Sequence, residues 1–281
     1  MTELRRRMIR DMTIRGFSPR THQSYLTAVH RLARHYRKSP DQLSVDEVQD
    51  YLAHMVTARK LSWSTCNVSV SAFRFLYKVT LGHDTTTFEI PGPKQPQHIP
   101  EILSRSEVAR LLESPPNAKH RLLLATIYSA GLRVSESVAM LVSDVDRERM
   151  TIRIEQGKGR KDRVVPLSRR LLEQMDTYWR MHPPLQPWLF PNHQGTQAVH
   201  VTVPQKVFLM AKMRTGIRKR GGIHSLRHAY ATHLIETGAN LPTVQRLLGH
   251  RCVSTTMRYF HLSESHLAKI HSPFDLLDTP R

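Results

Sequence analysis

The chain has 281 residues, 40% of them hydrophobic, with 42 Lys/Arg against 23 Asp/Glu and a formal net charge of +19. That is apolar material enough for two packed domains, and so cationic a surface predicts a polyanionic partner, nucleic acid first, because it repels itself when alone. No run of about 18 apolar residues spans a bilayer, the arginines of Met1–Arg10 are followed by no apolar leader stretch, and Cys66 and Cys252 stand in no metal-binding spacing; a soluble protein of the reducing cytoplasm is expected, each thiol a small buried filler.

In chain order, residues 1–83 read as a small all-helical, DNA-binding domain. Ser18 before Pro19 is a cap followed by proline at the first helical position, and Tyr25, Val29, Leu32 and Tyr36 recur at helical spacing. Ser44-Val45-Asp46-Glu47 has the capping-box pattern ahead of Val48, Leu52 and Met55. A third helix is predicted over Trp63–Lys78, with Val68, Ala72, Phe75 and Val79 as its inner face. This segment holds 14 Lys/Arg against 6 Asp/Glu, so both halves of the chain are basic, as a protein gripping a duplex with two domains requires.

Residues 84–100 read as a linker, with Pro91, Pro93, Pro96 and Pro100 favouring an extended, semi-rigid connection. The second domain, 101–281, opens with another capping box, Ser104-Arg105-Ser106-Glu107, ahead of Val108, Leu111 and Leu112. A helix is predicted over Arg121–Ser129, ending at Gly131. Ile152 and Ile154, then Val164 and Val165, flank the turn-rich stretch from Gly157 to Asp162 and predict a β-hairpin with Lys158 at its charged tip. Trp188-Leu189-Phe190 before Pro191 reads as a third short strand, and the remainder as helix. The fold class is therefore mainly α with a small β-sheet, α+β.

Several residues of the second domain suit attack on a phosphodiester. Negative charge gathers on the non-bridging oxygens, and the planar forks of Arg133 and Arg227 can grip them. His224 and His250 can add hydrogen bonds, and one of them can take the proton of an attacking hydroxyl. Lys158 on a hairpin tip can protonate a leaving 5′ oxygen, and the phenol of Tyr259 can form a phosphoester that a DNA hydroxyl later displaces. His224 and His228, spaced i, i+4, also permit a metal site, although no acidic or thiolate third ligand lies nearby in sequence.

The contexts of these residues are Gly131-Leu132-Arg133-Val134-Ser135-Glu136, Gly157-Lys158-Gly159-Arg160-Lys161, His224-Ser225-Leu226-Arg227-His228, Leu248-Gly249-His250 and Thr255-Thr256-Met257-Arg258-Tyr259. In order and spacing they resemble the tyrosine recombinases, or phage-integrase family, over nearly the whole chain. The resemblance implies a helical SAM-like core-binding domain followed by the tyrosine-recombinase catalytic domain. It implies Arg133 and Arg227 as phosphate clamps, Lys158 as general acid, His224 and His250 as phosphate ligands and proton handlers, and Tyr259 as nucleophile. Glu136 matches an acidic position that holds the first arginine region, and His228 is read as support without direct chemistry.

The same resemblance implies a site-specific recombinase or integrase that leaves a 3′-phosphotyrosine and passes through a Holliday junction, with no metal, ATP or other cofactor. Its partners would be double-stranded DNA with short inverted-repeat sites and a homotetramer, or a heterotetramer with a related recombinase. The segment after Tyr259, with Leu262, Leu267 and Ile270 at near-helical spacing, matches the family's exchanged C-terminal helix or packs on its own domain. The core-binding pattern starts almost at Met1, leaving no arm-binding domain ahead of it, and the stretch from Lys158 to His224 has no room for the insertion of integron integrases. A compact Xer-like or mobile-element type is expected. The rival readings are a type IB topoisomerase, a catalytically silent DNA-binding protein, and, from charge alone, an RNA-binding structural protein.

Overall fold

A computed structural model of the chain describes residues 2–83, 88–89, 101–155, 162–183, 187–250 and 252–260. The chain packs as two compact units, Met1–Gln97 and His98–Arg281. The class is the expected one, mainly helices with, among the described residues, a three-stranded antiparallel sheet. Among the described residues no helix is long and apolar enough to cross a membrane.

The first unit contains α1 (Glu3–Ile14), α2 (Pro19–Tyr36), α3 (Val45–Thr57) and α4 (Trp63–Arg74), the last running on as π-helical turns over Phe75–Thr80. Ser18 caps α2 by accepting from the Thr21 N–H, and Ser44 and Glu47 close a reciprocal capping box at the start of α3, as their spacing predicts. Met8 and Met12 of α1, Leu32 of α2, Leu52 of α3 and Phe73 and Leu76 of the last helix meet in one core. Helix α1 has no counterpart in the expected elements, because Arg5, Arg6 and Arg7 mask a narrow stripe whose buried members are Met8, Asp11 and Met12.

The inner face expected of α4 needs correction at Val68, which is 41% exposed, whereas Cys66, Val70, Ala72 and Phe73 are buried. The change to i→i+5 bonding after Arg74 rotates the following side chains, so that Phe75, Leu76 and Tyr77 all turn inward. The Tyr77 hydroxyl donates to Pro40 O at 2.7 Å, and burial, then the charge of Asp41, pushes its pKa up to about 12. Phe88 and Glu89, read as linker, belong to the first unit. Phe88 is fully buried, and the Gln49 side chain both donates to Glu89 O and accepts from its N–H. The rest of 84–100 lies outside the described residues, as does all of the predicted hairpin tip, Gly157 to Asp162, except Asp162.

The second unit is built around α6 (Ala118–Ser129), whose run Leu122–Ile127 is buried on every side. Helix α6 is flanked by α5 (Arg105–Glu113), α8 (Arg169–Met181), α9 (Thr202–Arg214) and α10 (His224–Glu236). It starts earlier than expected, because Asn117 caps it by accepting from the His120 N–H. The short α7 (Val134–Ala139) follows, then the sheet of β1 (Val145–Asp146), β2 (Thr151–Ile154) and β3 (Arg163–Pro166), with Ile152 opposite Val165 and Arg153 opposite Val164. Trp188-Leu189-Phe190 is not a strand. It makes a single bridge to Leu141, and Pro191, which has no N–H to continue a ladder, bridges only Ala198. Helices α11 (Leu241–Leu248) and α12 (Val253–Phe260) pack against α10. Cys252, just ahead of α12, is exposed and not the buried filler expected; its Sγ lies 3.0 Å from Ser254 Oγ at a helix start that faces solvent.

Candidate active site

Two glycine turns build the floor of the site. Gly131 follows α6 at φ +58°, and a Cβ there would stand 2.4 Å from the Tyr230 ring, so glycine alone allows α6 and α10 to approach this closely. Gly249 ends α11 at φ +61°, and the His250 N–H turns back to Gln245 O at 3.1 Å. Both turns aim carbonyls at arginines. Arg227, only 3% exposed, donates through Nη1 to Gly131 O at 2.7 Å and through Nη2 to Leu248 O at 2.5 Å. Arg133 donates through Nη2 to Gly249 O at 3.3 Å.

Glu136 is the counter-charge beneath this arrangement. It lies in the first turn of α7 and accepts from the Arg133 N–H at 2.8 Å and from Arg133 Nη1 at 2.5 Å. Arg163, the first residue of β3, grips the same carboxylate with both ends of its fork, at 2.9 and 2.7 Å, and its Nε donates to Leu247 O. Arg227 stands 3.8 Å away. Burial pushes the Glu136 carboxyl up, but the hydrogen bonds and charge of Arg163, and then Arg133, outweigh it and hold the pKa at about 2. Burial, and after it Arg133, lowers the Arg227 pKa to about 10, which leaves the guanidinium charged at neutral pH.

Above the arginines sit three histidines and a tyrosine. Arg227 Nη2 lies 3.1 Å from His250 Nε2. A guanidinium can only donate, so Nε2 accepts and the His250 proton is on Nδ1, directed at Thr256 Oγ1 2.9 Å away. Tyr259 is 5% exposed, its ring stacks on that of His250 at 6.3 Å between centroids, and its hydroxyl is 2.8 Å from His228 Nδ1. His224 opens α10 with its ring 5.9 Å from that of His228; it has no side-chain hydrogen bond among the described residues and keeps an exposed surface. Burial, followed by neighbouring positive groups, pushes His228 and His250 down to about 4. Partial desolvation, then Arg227 and Arg133, lowers His224 as well. Burial raises the Tyr259 phenol, opposed by Arg227.

Five of the six residues singled out in the sequence thus lie in one cluster, Arg133, His224, Arg227, His250 and Tyr259. Lys158 lies outside the described residues, and so do Leu262, Leu267 and Ile270. Sequence reading missed Arg163 and Thr256. The signal for Arg163 is the alternation of β3. It shares a strand face with the buried Val165, and an arginine on an inward face calls for a buried acid. Among the described residues no group of three His, Cys, Asp or Glu side chains could hold a metal ion.

A helical leading unit, followed by a helical catalytic unit in which two buried-backbone arginines underlie a histidine–tyrosine pair, defines a class of DNA-cutting and DNA-joining enzymes. The chain belongs to the phage integrase family: the profile described as the phage integrase family matches residues 99–266, and that of its N-terminal SAM-like domain matches residues 4–87. Members break and rejoin DNA in site-specific recombination, and this chain is an enzyme of that kind. It is similar to a putative integrase/recombinase, y4qK, of Sinorhizobium fredii, 41% identical over 281 residues, covering 100% of this chain and 91% of the relative. It is also similar to tyrosine recombinase XerD of Yersinia pestis, 31% identical over 274 residues and covering 92% and 91% of the two chains. Among solved structures, XerH site-specific recombinase bound to difH substrate in a pre-cleavage complex matches with a TM-score of 0.66 at 25% identity, covering 89% of this chain and 77% of that one.

Proposed function

We propose that this chain recombines double-stranded DNA at short inverted-repeat sites by using Tyr259 as the nucleophile. The observation that carries the reading is the buried Tyr259 hydroxyl, held against His228 and stacked on His250, above the Arg227 fork. Arg133 and Arg227 clamp the scissile phosphate, because their guanidinium groups are oriented by backbone carbonyls before any substrate arrives. His224, which has no side-chain hydrogen bond among the described residues, hydrogen-bonds the same phosphate, and His250 joins it when Arg227 Nη2 turns from Nε2 to a phosphate oxygen and Nε2 takes up a proton. Tyr259 Oη forms a bond to phosphorus while the bond to the 5′ oxygen breaks, and Lys158 gives that oxygen its proton. The product is a 3′-phosphotyrosine and a 5′-hydroxyl, which attacks the partner duplex; two such exchanges pass through a Holliday junction. Four protomers assemble on two sites in the cytoplasm, and no step assigned to these residues draws on a metal or nucleotide.

Covalent capture tests this. Purified protein is incubated with fragmented DNA from its own genomic neighbourhood and denatured, and protein-bound strands are sequenced, with Tyr259→Phe in parallel. Adducts at one inverted-repeat sequence, absent in the variant, are expected. Scattered adducts would favour a topoisomerase-like activity, and none under conditions of demonstrated binding would leave a silent DNA-binding protein.

A further inference from the structure

The three histidines above the arginines are not equivalent toward Tyr259. His250 has its Nε2 lone pair engaged by Arg227 and its Nδ1 proton directed at Thr256, so both ring nitrogens are occupied. His224 makes no side-chain hydrogen bond among the described residues. His228 is one helical turn beyond His224 on α10, and its Nδ1 is in hydrogen-bond contact with the Tyr259 hydroxyl at 2.8 Å.

We propose that His228 is a further catalytic residue, the acceptor of the Tyr259 phenol proton in strand cleavage and its donor in the reverse, joining step. The inference rests on Tyr259 being the nucleophile. In cleavage the Oη–P bond forms, the P–O5′ bond breaks, the phenol proton passes to His228 Nδ1, and O5′ takes its proton from Lys158. In joining, the oxygen of an incoming 5′-hydroxyl bonds to phosphorus and gives its proton to Lys158 as the P–Oη bond breaks, and His228 returns its proton to Oη, so that the ring ends neutral and the lysine charged.

Two features of the site support this division of labour. His228 is neutral across the working range, since burial, then His224 and Arg227, holds its pKa at about 4, so an unprotonated nitrogen is ready at neutral pH. A free phenol does not give its proton to so weak a base, which keeps Tyr259 protonated and unreactive at rest. As the oxygen bonds to phosphorus its proton becomes strongly acidic, and transfer proceeds within the same step. The phosphate also places negative charge beside Arg227, weakening one of the influences that lower the basicity of His228.

The test uses the full chain, with the strand recovered by covalent capture made into a nicked substrate that cannot be rejoined; the first-order rate of adduct formation is read. His228→Ala is expected to slow it about 100-fold or more, with added imidazoles restoring the rate in the order of their basicity. His228→Asn retains an acceptor near the Nδ1 position but cannot take a proton, and is expected to stay slow. An asparagine variant as fast as wild type, or an alanine variant that folds and binds but responds to no imidazole, overturns the assignment. Should the alanine variant not fold, nitrogen NMR of the wild-type ring decides: an unprotonated Nδ1 supports the proposal, and a protonated Nδ1 refutes it. Adducts that persist in Tyr259→Phe, or none from wild type, would sink the parent reading and this one together; loss confined to the His228 variants leaves the parent reading intact.

Discussion

Replacing Glu136 by Gln removes one carboxylate from among three guanidinium groups, those of Arg133 at 2.5 Å, Arg163 at 2.7 Å and Arg227 at 3.8 Å. Two routes give the size of the effect. Lowering a carboxyl from 4.5 to about 2 on folding corresponds to about 3 kcal/mol at neutral pH. Breaking a buried ion pair by removing one partner costs roughly 3–5 kcal/mol. The sign with pH follows from the depressed pKa. The contribution is complete above 4.5 and is lost as pH falls toward 2, so the gap between wild type and variant should shrink to roughly 1.5 kcal/mol by pH 3. Urea unfolding followed by tryptophan fluorescence measures it, in a Trp63→Phe background so that Trp179 and Trp188 report on the second unit alone. At neutral pH the variant should melt roughly 6–12 °C lower. Equal midpoints, or a gap that does not close on acidification, would refute Glu136 as the counter-charge of the site.

Arg163→Lys retains the charge but not the two-pronged grip on Glu136 or the Nε bond to Leu247 O; it should destabilise the second unit by about 1–3 kcal/mol and slow adduct formation while DNA affinity stays within about threefold, since no new phosphate contact is lost. Gly131→Ala forces a Cβ into the Tyr230 ring at a left-handed φ, and a loss of about 2 kcal/mol or more is expected in the same unfolding assay; a neutral result would mean that α6 and α10 can separate freely. Lys158→Ala should slow cleavage of an ordinary strand far more than of one with a 5′-bridging sulfur, which leaves without a proton. Equal slowing of both substrates would remove Lys158 from the acid role.

Local rules made much of this chain readable. The Ser44–Glu47 and Ser104–Glu107 boxes are complete within four residues, so nothing distant can overrule them. The β2–β3 hairpin is legible in the apolar residues on either side of its turn, whereas its register, Ile152 opposite Val165, comes from the fold. Harder to read were features that depend on contacts remote in sequence. Val68 lies where a simple helical period predicts burial, but the widening of the helix after Arg74 and the packing of Cys66 and Phe73 decide the face. Helix α1 hides its two core methionines among arginines. Arg163 is 27 residues from Glu136, and in so basic a chain nothing separates it from a solvated arginine except its place on the inward face of β3. Likewise His228 reads as a supporting residue in the sequence, because only the fold brings α12 back beside α10.

The placement of the two glycine turns explains how so much positive charge is tolerated without a ligand. Three arginines face one carboxylate, and each has at least one donor satisfied by a backbone carbonyl, Gly131 O and Leu248 O for Arg227, Gly249 O for Arg133 and Leu247 O for Arg163. The carbonyl dipoles supply partial negative charge without a second acid, which would compete with phosphate for the forks. They also orient the guanidinium groups during folding, so little reorganisation is left for the moment when negative charge develops on a phosphate. A second carboxylate in place of those carbonyls would stabilise the free protein more and the transition state less. The same turns, Gly131 after α6 and Gly249 before His250, therefore link packing to chemistry: the close approach of backbone that only glycine permits is what brings the carbonyls within reach of the arginines.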